Sequence, residues 1–397
     1  MKSISFKKSL FTKLIKCFPN TVMITTPGIR EVHTIKLPDT YIEGYHNASM
    51  VKKMEYRVLG DTGLAVSKLG FGVSALGSVF RPTIDSEGMA VVEAAVKAGI
   101  NWFDAAPWYG HGKGETVFGR ALVSKRIPRE AIYVSTKVGR YLPEVDKMFD
   151  FRAERVIQSV DESLQRMGLD YVDLIQIHDM EFAPSLDIIL SETLPALQKV
   201  KESGKAKFIG ITGYPLENFR TILEKSTVKI DTVMTYCHFC LNDTSLADYL
   251  SYFKEKGVGV LNASPNGMGL LTHRGPPDWH PAMDDIKSSC KQAADYCKTQ
   301  GVDISRLAVH FTCANPDIPT TLVSTASTKN FETNFKAACE ALTPKEQSCL
   351  NFVLETYFKP LKNKTWEGVE VRKYKEKLWR KKNERDSLEI LDEIINS

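Results

Sequence analysis

Eight short runs rich in β-branched and aromatic residues, each followed by a stretch of helical periodicity, lie between about residues 55 and 345. Together they predict a closed parallel (β/α)8 barrel, the TIM-barrel class. Eight consecutive units in roughly 250 residues is the span such a barrel requires. An open doubly wound sheet is the alternative, but it would carry a GxGxxG turn after its first strand. "GFGVSALG" matches that fingerprint poorly and sits inside the strand. The barrel leaves an N-terminal extension, 1–54, which is a targeting or disordered segment, and a C-terminal extension, 346–397, ending in a charged helix.

Each unit can be read in turn. "KLGFGVSAL" leads into the helix "SEGMAVVEAAVKAG", and "NWFDAA" into "GETVFGRALV". "AIYVSTKV" leads into "RAERVIQSVDESLQRMG", where Val156, Val160, Leu164 and Met167 share a face and Gly168 supplies the stop. "YVDLIQIH" precedes "SETLPALQKVKESG", "AKFIGITG" precedes "LENFRTILEKS", and "DTVMTYCH" precedes "SLADYLSYFKEKG". After "VGVLNASP" comes a long loop with an extra helix over about 284–300, then the helix "DISRLAVHFTCA". "TTLVST" and "KNFETNFKAACEAL" close the series. The tail "RKYKEKLWRKKNERDSLEILDEIINS" reads as a solvated helix, with Leu378, Leu388, Leu391, Ile394 and Ile395 open to a partner.

Composition narrows the classes. A chain of 397 residues, 43% hydrophobic and 25% charged, can bury a sizeable core, and a formal charge of +4, unevenly spread, implies no general affinity for nucleic acid or membrane. No apolar run is long enough to span a bilayer. The eight cysteines lack the dense spacing of a secreted scaffold, so reduced thiols in the cytoplasm are expected. "CHFC" at 237–240 reads as part of a strand and has no second pair, so no metal is assigned. The first thirty residues carry Lys2, Lys7, Lys8, Lys13, Lys16 and Arg30 without an acid, and "SLFTKLIKCF" suits a basic amphipathic helix of the mitochondrial-import kind. Without a secretory signal, Asn47, Asn242 and Asn363 in Asn-x-Ser/Thr are expected to stay unmodified.

In such a barrel the loops at the C-terminal strand ends share one mouth, so ionisable residues there are informative. Asp104 ends the second strand, Tyr109 follows in its glycine-rich loop, Lys137 ends the third strand and His178 the fourth. Taken singly, these are a cap, a packing ring, a solvated cation and a core histidine; in consecutive units they suggest one reaction site. A tyrosine, with pKa near 10, works as an acid or base at neutral pH only if that value falls by about three units. A lysine ammonium about 4 Å away supplies that much at an effective dielectric near 20. Lys137 is therefore expected to activate Tyr109, Asp104 to keep Lys137 charged, and His178 to hold the substrate oxygen.

At these residues the chain resembles the aldo-keto reductase superfamily, through "GINWFDAAPWYGHGKGE", "VSTKVG", "DLIQIHD" and "KAKFIGITGY". The resemblance implies a catalytic tetrad at Asp104, Tyr109, Lys137 and His178. "IHDMEF", "TYCHFCLNDTSL", "GVLNASPNGMGLLTHRGPPDWHPA" and "YFKPLKNKTWEG" look like the L-galactose dehydrogenase group of sugar dehydrogenases. That narrower resemblance implies oxidation of the anomeric hydroxyl of a free sugar to its lactone, or aldehyde reduction in reverse, with a nicotinamide cofactor. Its contacts would include Thr212, Tyr236, Ser264 and Asn266, with Ala263 where the family stacks an aromatic ring. Ser324, Thr325, Ser327, Asn330 and Asn334 would meet the adenosine end. NADP-selective members have Lys and Arg where this chain has Ser324 and Asn330, which favours NAD over NADP, with Lys329 the nearest cation. Trp108, His111, Asp179, Tyr214, Phe239, Trp279 and His280 are the expected sugar contacts, although Asp179 equally suits a cap. Glu115 reads as structural, a first-turn acid. The competing class is a cofactor-binding regulatory subunit of a channel or other partner, with little turnover. No oligomeric state is implied.

Overall fold

In the computed structural model the described residues are 21–24 and 33–395 for the backbone and 37–384 for the side chains; the basic segment "SLFTKLIKCF" lies outside them. The barrel strands are β1 (Leu69–Gly72), β2 (Trp102–Asp104), β3 (Tyr133–Val138), β4 (Val172–Ile177), β5 (Ala206–Thr212), β6 (Thr232–Tyr236), β7 (Gly259–Ala263) and β8 (Thr320–Val323). All eight are parallel and close in chain order, with Leu322 of β8 opposite Gly70 of β1.

Between them run α1 (Asp85–Lys97), α2 (Lys113–Ser124), α3 (Ala153–Met167), α4 (Leu194–Glu202), α5 (Leu216–Lys225) and α6 (Ala247–Glu255). Two helices follow β7, α7 (Asp284–Thr299) and α8 (Ile304–Ala314); α9 (Thr328–Cys339) completes the eighth unit, and α10 (Pro344–Val353) and α11 (Val369–Ile395) extend the chain beyond it. The helix α3 buries Val156, Val160, Leu164 and Met167 and ends at Gly168, whose φ of 65° is left-handed. Before α4 the helix is widened into a π-turn over Ile189–Thr193, a local break in the regular ladder just ahead of Pro195.

A hairpin of Tyr56–Val58 and Ala65–Ser67 closes the lower end of the barrel. Its turn donates from Asp61 N to the Gly257 carbonyl at 2.8 Å. Leu59 and Val66 then meet Trp102, Leu174, Leu261 and Leu322 in an apolar lumen layer. A larger core fills the space between strands and outer helices. A third cluster unites α7, α8 and α10 with Trp366.

One expectation needs correction. Cys237 to Cys240 lie just beyond β6 rather than within it, because Cys237 turns the chain with φ of 61°. Both thiols are buried, and burial pushes them well above the usual cysteine range.

Candidate active site

The ends of β2, β3 and β4 bring a charged network into the upper lumen. Asp104 and Lys137 are 2% and 1% exposed, so each charge must be met by a partner. Lys137 Nζ donates to Asp104 Oδ2 at 2.5 Å, to the Ala105 carbonyl at 2.9 Å and to the Tyr109 hydroxyl at 3.1 Å. All three ammonium protons are thereby engaged. Asp104 Oδ1 accepts from Ser135 Oγ at 2.7 Å and Gln176 Nε2 at 2.9 Å. Burial lowers the affinity of Lys137 for its proton, but Asp104 and Tyr109 outweigh it and the net shift is upward, so the residue stays cationic.

Tyr109 reaches this network because two loops cross at glycines. The turn after β2 passes over the turn after β1 so closely that a Cβ on Gly110, whose φ is 68°, would collide with the Gly77 carbonyl. The neighbouring turn continues into α2, where Gly114 N donates to the Tyr109 carbonyl at 2.9 Å. Tyr109 then meets the His178 ring edge-on at 5.9 Å between centroids. His178 is 6% exposed, its Nδ1 has no hydrogen-bond partner, and burial lowers its pKa to about 3, so the imidazole is neutral.

The phenol itself departs from expectation. Burial raises the pKa of Tyr109, and Asp104 adds to the rise, so the opposing pull of Lys137 does not prevail. The cation that should acidify Tyr109 is already matched by Asp104. Tyr109 is therefore a protonated phenol at neutral pH in the protein alone, with its oxygen accepting from Lys137.

A cleft of about 460 Å³ opens from Asp104 and Tyr109 along the ends of β7, β8 and β1. Ser264, Asn266, Ser324, Thr325, Asn330 and Asn334 line it, as does Ala263. Asn266 Oδ1 is buried without a partner. Two cations that sequence reasoning missed, Arg81 and Arg274, also line the cleft and make no ion pair or hydrogen bond among the described residues. Both sit in loops that follow barrel strands, the rule used for the tetrad. A cleft with unengaged cations, an orphan amide oxygen and the Tyr109 phenol in its wall fits a nicotinamide dinucleotide. Phe80 and Trp279, from the loops after β1 and β7, stack at 6.2 Å between centroids at the cleft's edge.

Other expected contacts lie elsewhere. Thr212 Oγ1 accepts from Asp179 N at 3.1 Å, which shapes the His178 loop. Tyr236 lies off the cleft, its hydroxyl 3.4 Å from Glu370. Ser327 caps α9, accepting from Asn330 N. Phe239 stacks on Phe311 at 5.5 Å in the core. His280 uses both ring nitrogens, with the Gly267 carbonyl at 3.0 Å and Ala282 N at 3.1 Å, which makes it structural. Tyr214 is 3% exposed and is packed between Trp366 and His238. Glu115 is fully buried, accepting from Thr136 at 2.6 Å and Arg166 at 2.7 Å, more than a helix-end acid.

On the far side of the tetrad, Asp179 makes no cap bond; it binds Arg140 at 2.6 Å, and its Oδ2 lies 3.7 Å from His178 Nε2. The Arg140 guanidinium stacks over Trp108 at 4.1 Å, and His111 packs edge-on against the same indole at 5.1 Å. Six of the nine described non-glycine residues with positive φ occupy mouth loops: Ser78, His111, Asp179, Cys237, Ser264 and Met268. Such strain gathers where a fold over-determines a site.

A family model described as the aldo/keto reductase family matches residues 68–353. The chain is 47% identical over 316 residues to the L-galactose dehydrogenase of Arabidopsis thaliana, covering 79% of this chain and 97% of that one. It is 32% identical to the D-arabinose 1-dehydrogenase of Saccharomyces cerevisiae over 56% of this chain and 67% of that one. Among solved structures, the holo form of an aldo-keto reductase from Bacillus halodurans superimposes with a TM-score of 0.61 and 26% identity, covering 76% of this chain and 96% of that one. These comparisons support a sugar oxidoreductase and lend nothing to a regulatory subunit.

Proposed function

The chain belongs to the aldo/keto reductase family, and from that premise we propose that it oxidises the anomeric hydroxyl of a free, L-galactose-like sugar to the lactone. The observation that carries this reading is the Tyr109 hydroxyl, which lines the cleft 3.1 Å from a fully engaged Lys137. In its phenolate form, Tyr109 takes the anomeric hydroxyl proton while the hydrogen on the same carbon departs as hydride and the C–O bond becomes a carbonyl. A bound nicotinamide cofactor would supply the hydride acceptor. Lys137 steadies the phenolate, Asp104 fixes Lys137, and neutral His178 hydrogen-bonds the substrate oxygen. In reverse, the same phenol donates its proton to an aldehyde.

Ser264 and Asn266 would hold the nicotinamide half, Arg81 and Arg274 the phosphates, and Ser324, Asn330 and Asn334 the adenosine end. We propose NAD as the preferred cofactor, since Ser324 and Asn330 stand where NADP-selective members carry the Lys and Arg that a 2′-phosphate needs. Residence in the cytoplasm is part of the same reading; N-terminal sequencing of the native protein tests it against mitochondrial processing. Among the described residues no helix is long and apolar enough to cross a membrane.

The test follows nicotinamide absorbance with L-galactose, L-fucose, D-arabinose and simple aldehydes, with NAD and NADP in turn. Turnover of a free sugar, faster with NAD, is expected; no turnover of any sugar with either cofactor overturns the proposal. Because burial raises the Tyr109 pKa, sugar oxidation should accelerate with pH above neutrality as the phenolate fraction grows. Aldehyde reduction should slow over the same range.

A further inference from the structure

The segment beyond the barrel returns to the mouth. Trp366 stacks on Tyr214 at 4.9 Å, and Tyr374 of α11 packs edge-on against Phe149 at 5.1 Å and Phe182 at 5.6 Å. Between these anchors, Glu370 in the first turn of α11 points its carboxylate to within 3.4 Å of the Tyr236 hydroxyl. It is close enough to Arg140 and Asp179 for their charges to act on it, and Asp179 in turn lies 3.7 Å from His178. Through Asp179, Glu370 is linked electrostatically to the reacting corner.

We propose that Glu370 is a specificity-determining residue of the active site: it accepts a hydroxyl of a neutral sugar remote from the reacting carbon, and with Asp179 it turns anionic sugars away. The inference rests on the sugar-oxidising reading above. A carboxylate suits a donor-rich, uncharged polyol, because each hydroxyl supplies the hydrogen bond that burial has removed. Burial raises the pKa of Glu370, while Arg140 pulls it back.

A second observation points to a ligand at the same place. Glu181 Oε2, which faces the same small void as Glu370, is buried without a partner. The Trp366 indole, 2% exposed, lends its N–H to the charged form of Glu370. Arg140, the cation that acts on Glu370, donates to Asp179 at 2.6 Å, so the corner holds two carboxylates to one guanidinium and carries a net negative charge toward an anionic sugar.

Full-length Glu370→Ala and Glu370→Gln test this. Calorimetric titration of L-galactose into NAD-loaded Tyr109→Phe protein reads binding without turnover; adding Glu370→Ala should weaken it about tenfold, the worth of a charge-assisted hydrogen bond. Glu370→Gln, which preserves shape, should raise kcat/KM for 4-carboxybenzaldehyde relative to benzaldehyde at least fivefold; if the alanine variant does not fold, this variant decides. Binding and the aldehyde ratio both unchanged within twofold, or no sugar binding by the Tyr109→Phe protein, overturns the proposal. Sugar turnover with an unmoved KM in Glu370→Ala removes the role of Glu370 and leaves the sugar reading standing. Glu370-dependent binding without turnover by the unsubstituted protein does the reverse.

Discussion

At the lower end of the lumen, Leu59, Val66, Trp102, Leu174 and Leu261 meet ring against methyl, with no charge among them. At the upper end of the same lumen, Ser135, Lys137 and Gln176 fill the space with hydrogen bonds that converge on Asp104. Both ends are equally dry, yet one holds the barrel shut by apolar burial while the other keeps a cation and a carboxylate where a reaction can use them. Alternate residues along each strand face the lumen, so a single strand such as β4 contributes Leu174 to one end and Gln176 to the other.

Substitutions should pull the two ends apart. The largest effect is expected from Lys137→Met, which leaves Asp104 buried and uncompensated; denaturant titration should show a loss of about 3–5 kcal/mol together with loss of turnover. Adding Asp104→Leu should recover most of that stability and none of the activity. Tyr109→Phe should lower kcat by about 10²–10⁴ in the absorbance assay while denaturation shifts by less than ~1 kcal/mol. Leu174→Ala should do the opposite, costing about 2–5 kcal/mol of stability with kcat unchanged at a temperature where the protein remains folded.

The smallest expected effect is a slope. Burial depresses His178 to about 3 and His280 to about 4, so the unfolded chain binds protons there that the folded one refuses. Stability should be level from these groups above about pH 6.5, the unfolded histidine value, and fall as pH drops toward 4, by up to about 1.4 kcal/mol per pH unit for each. His178→Asn should flatten that fall, and an unchanged slope would remove His178 from the account.

Much of the upper end was legible because strand ends are easy to locate. Asp104, Tyr109, Lys137 and His178 were read from their positions in consecutive units, and the structure brings them together. Ser135 and Gln176 were missed although each stands two residues before a member of that set, Lys137 on β3 and His178 just past the end of β4, the spacing that puts both on one face. Phe239 and His280 were misread because aromatic character in a mouth loop does not tell a ring that lines a cleft from one that packs beneath it. The approach of Glu370 from a helix more than a hundred residues away from Tyr236 in the chain leaves no local pattern; only the closed fold reveals it.

The crossing of Gly77 and Gly110 has one more consequence. With backbone resting on backbone, the turn that carries the phenol cannot swing without dragging the turn after β1, so its oxygen stands in the reactive position before any ligand arrives. Preorganisation of this kind removes a rearrangement from the barrier, and it makes a methyl group at either glycine enough to unseat the reaction without touching a single reacting atom.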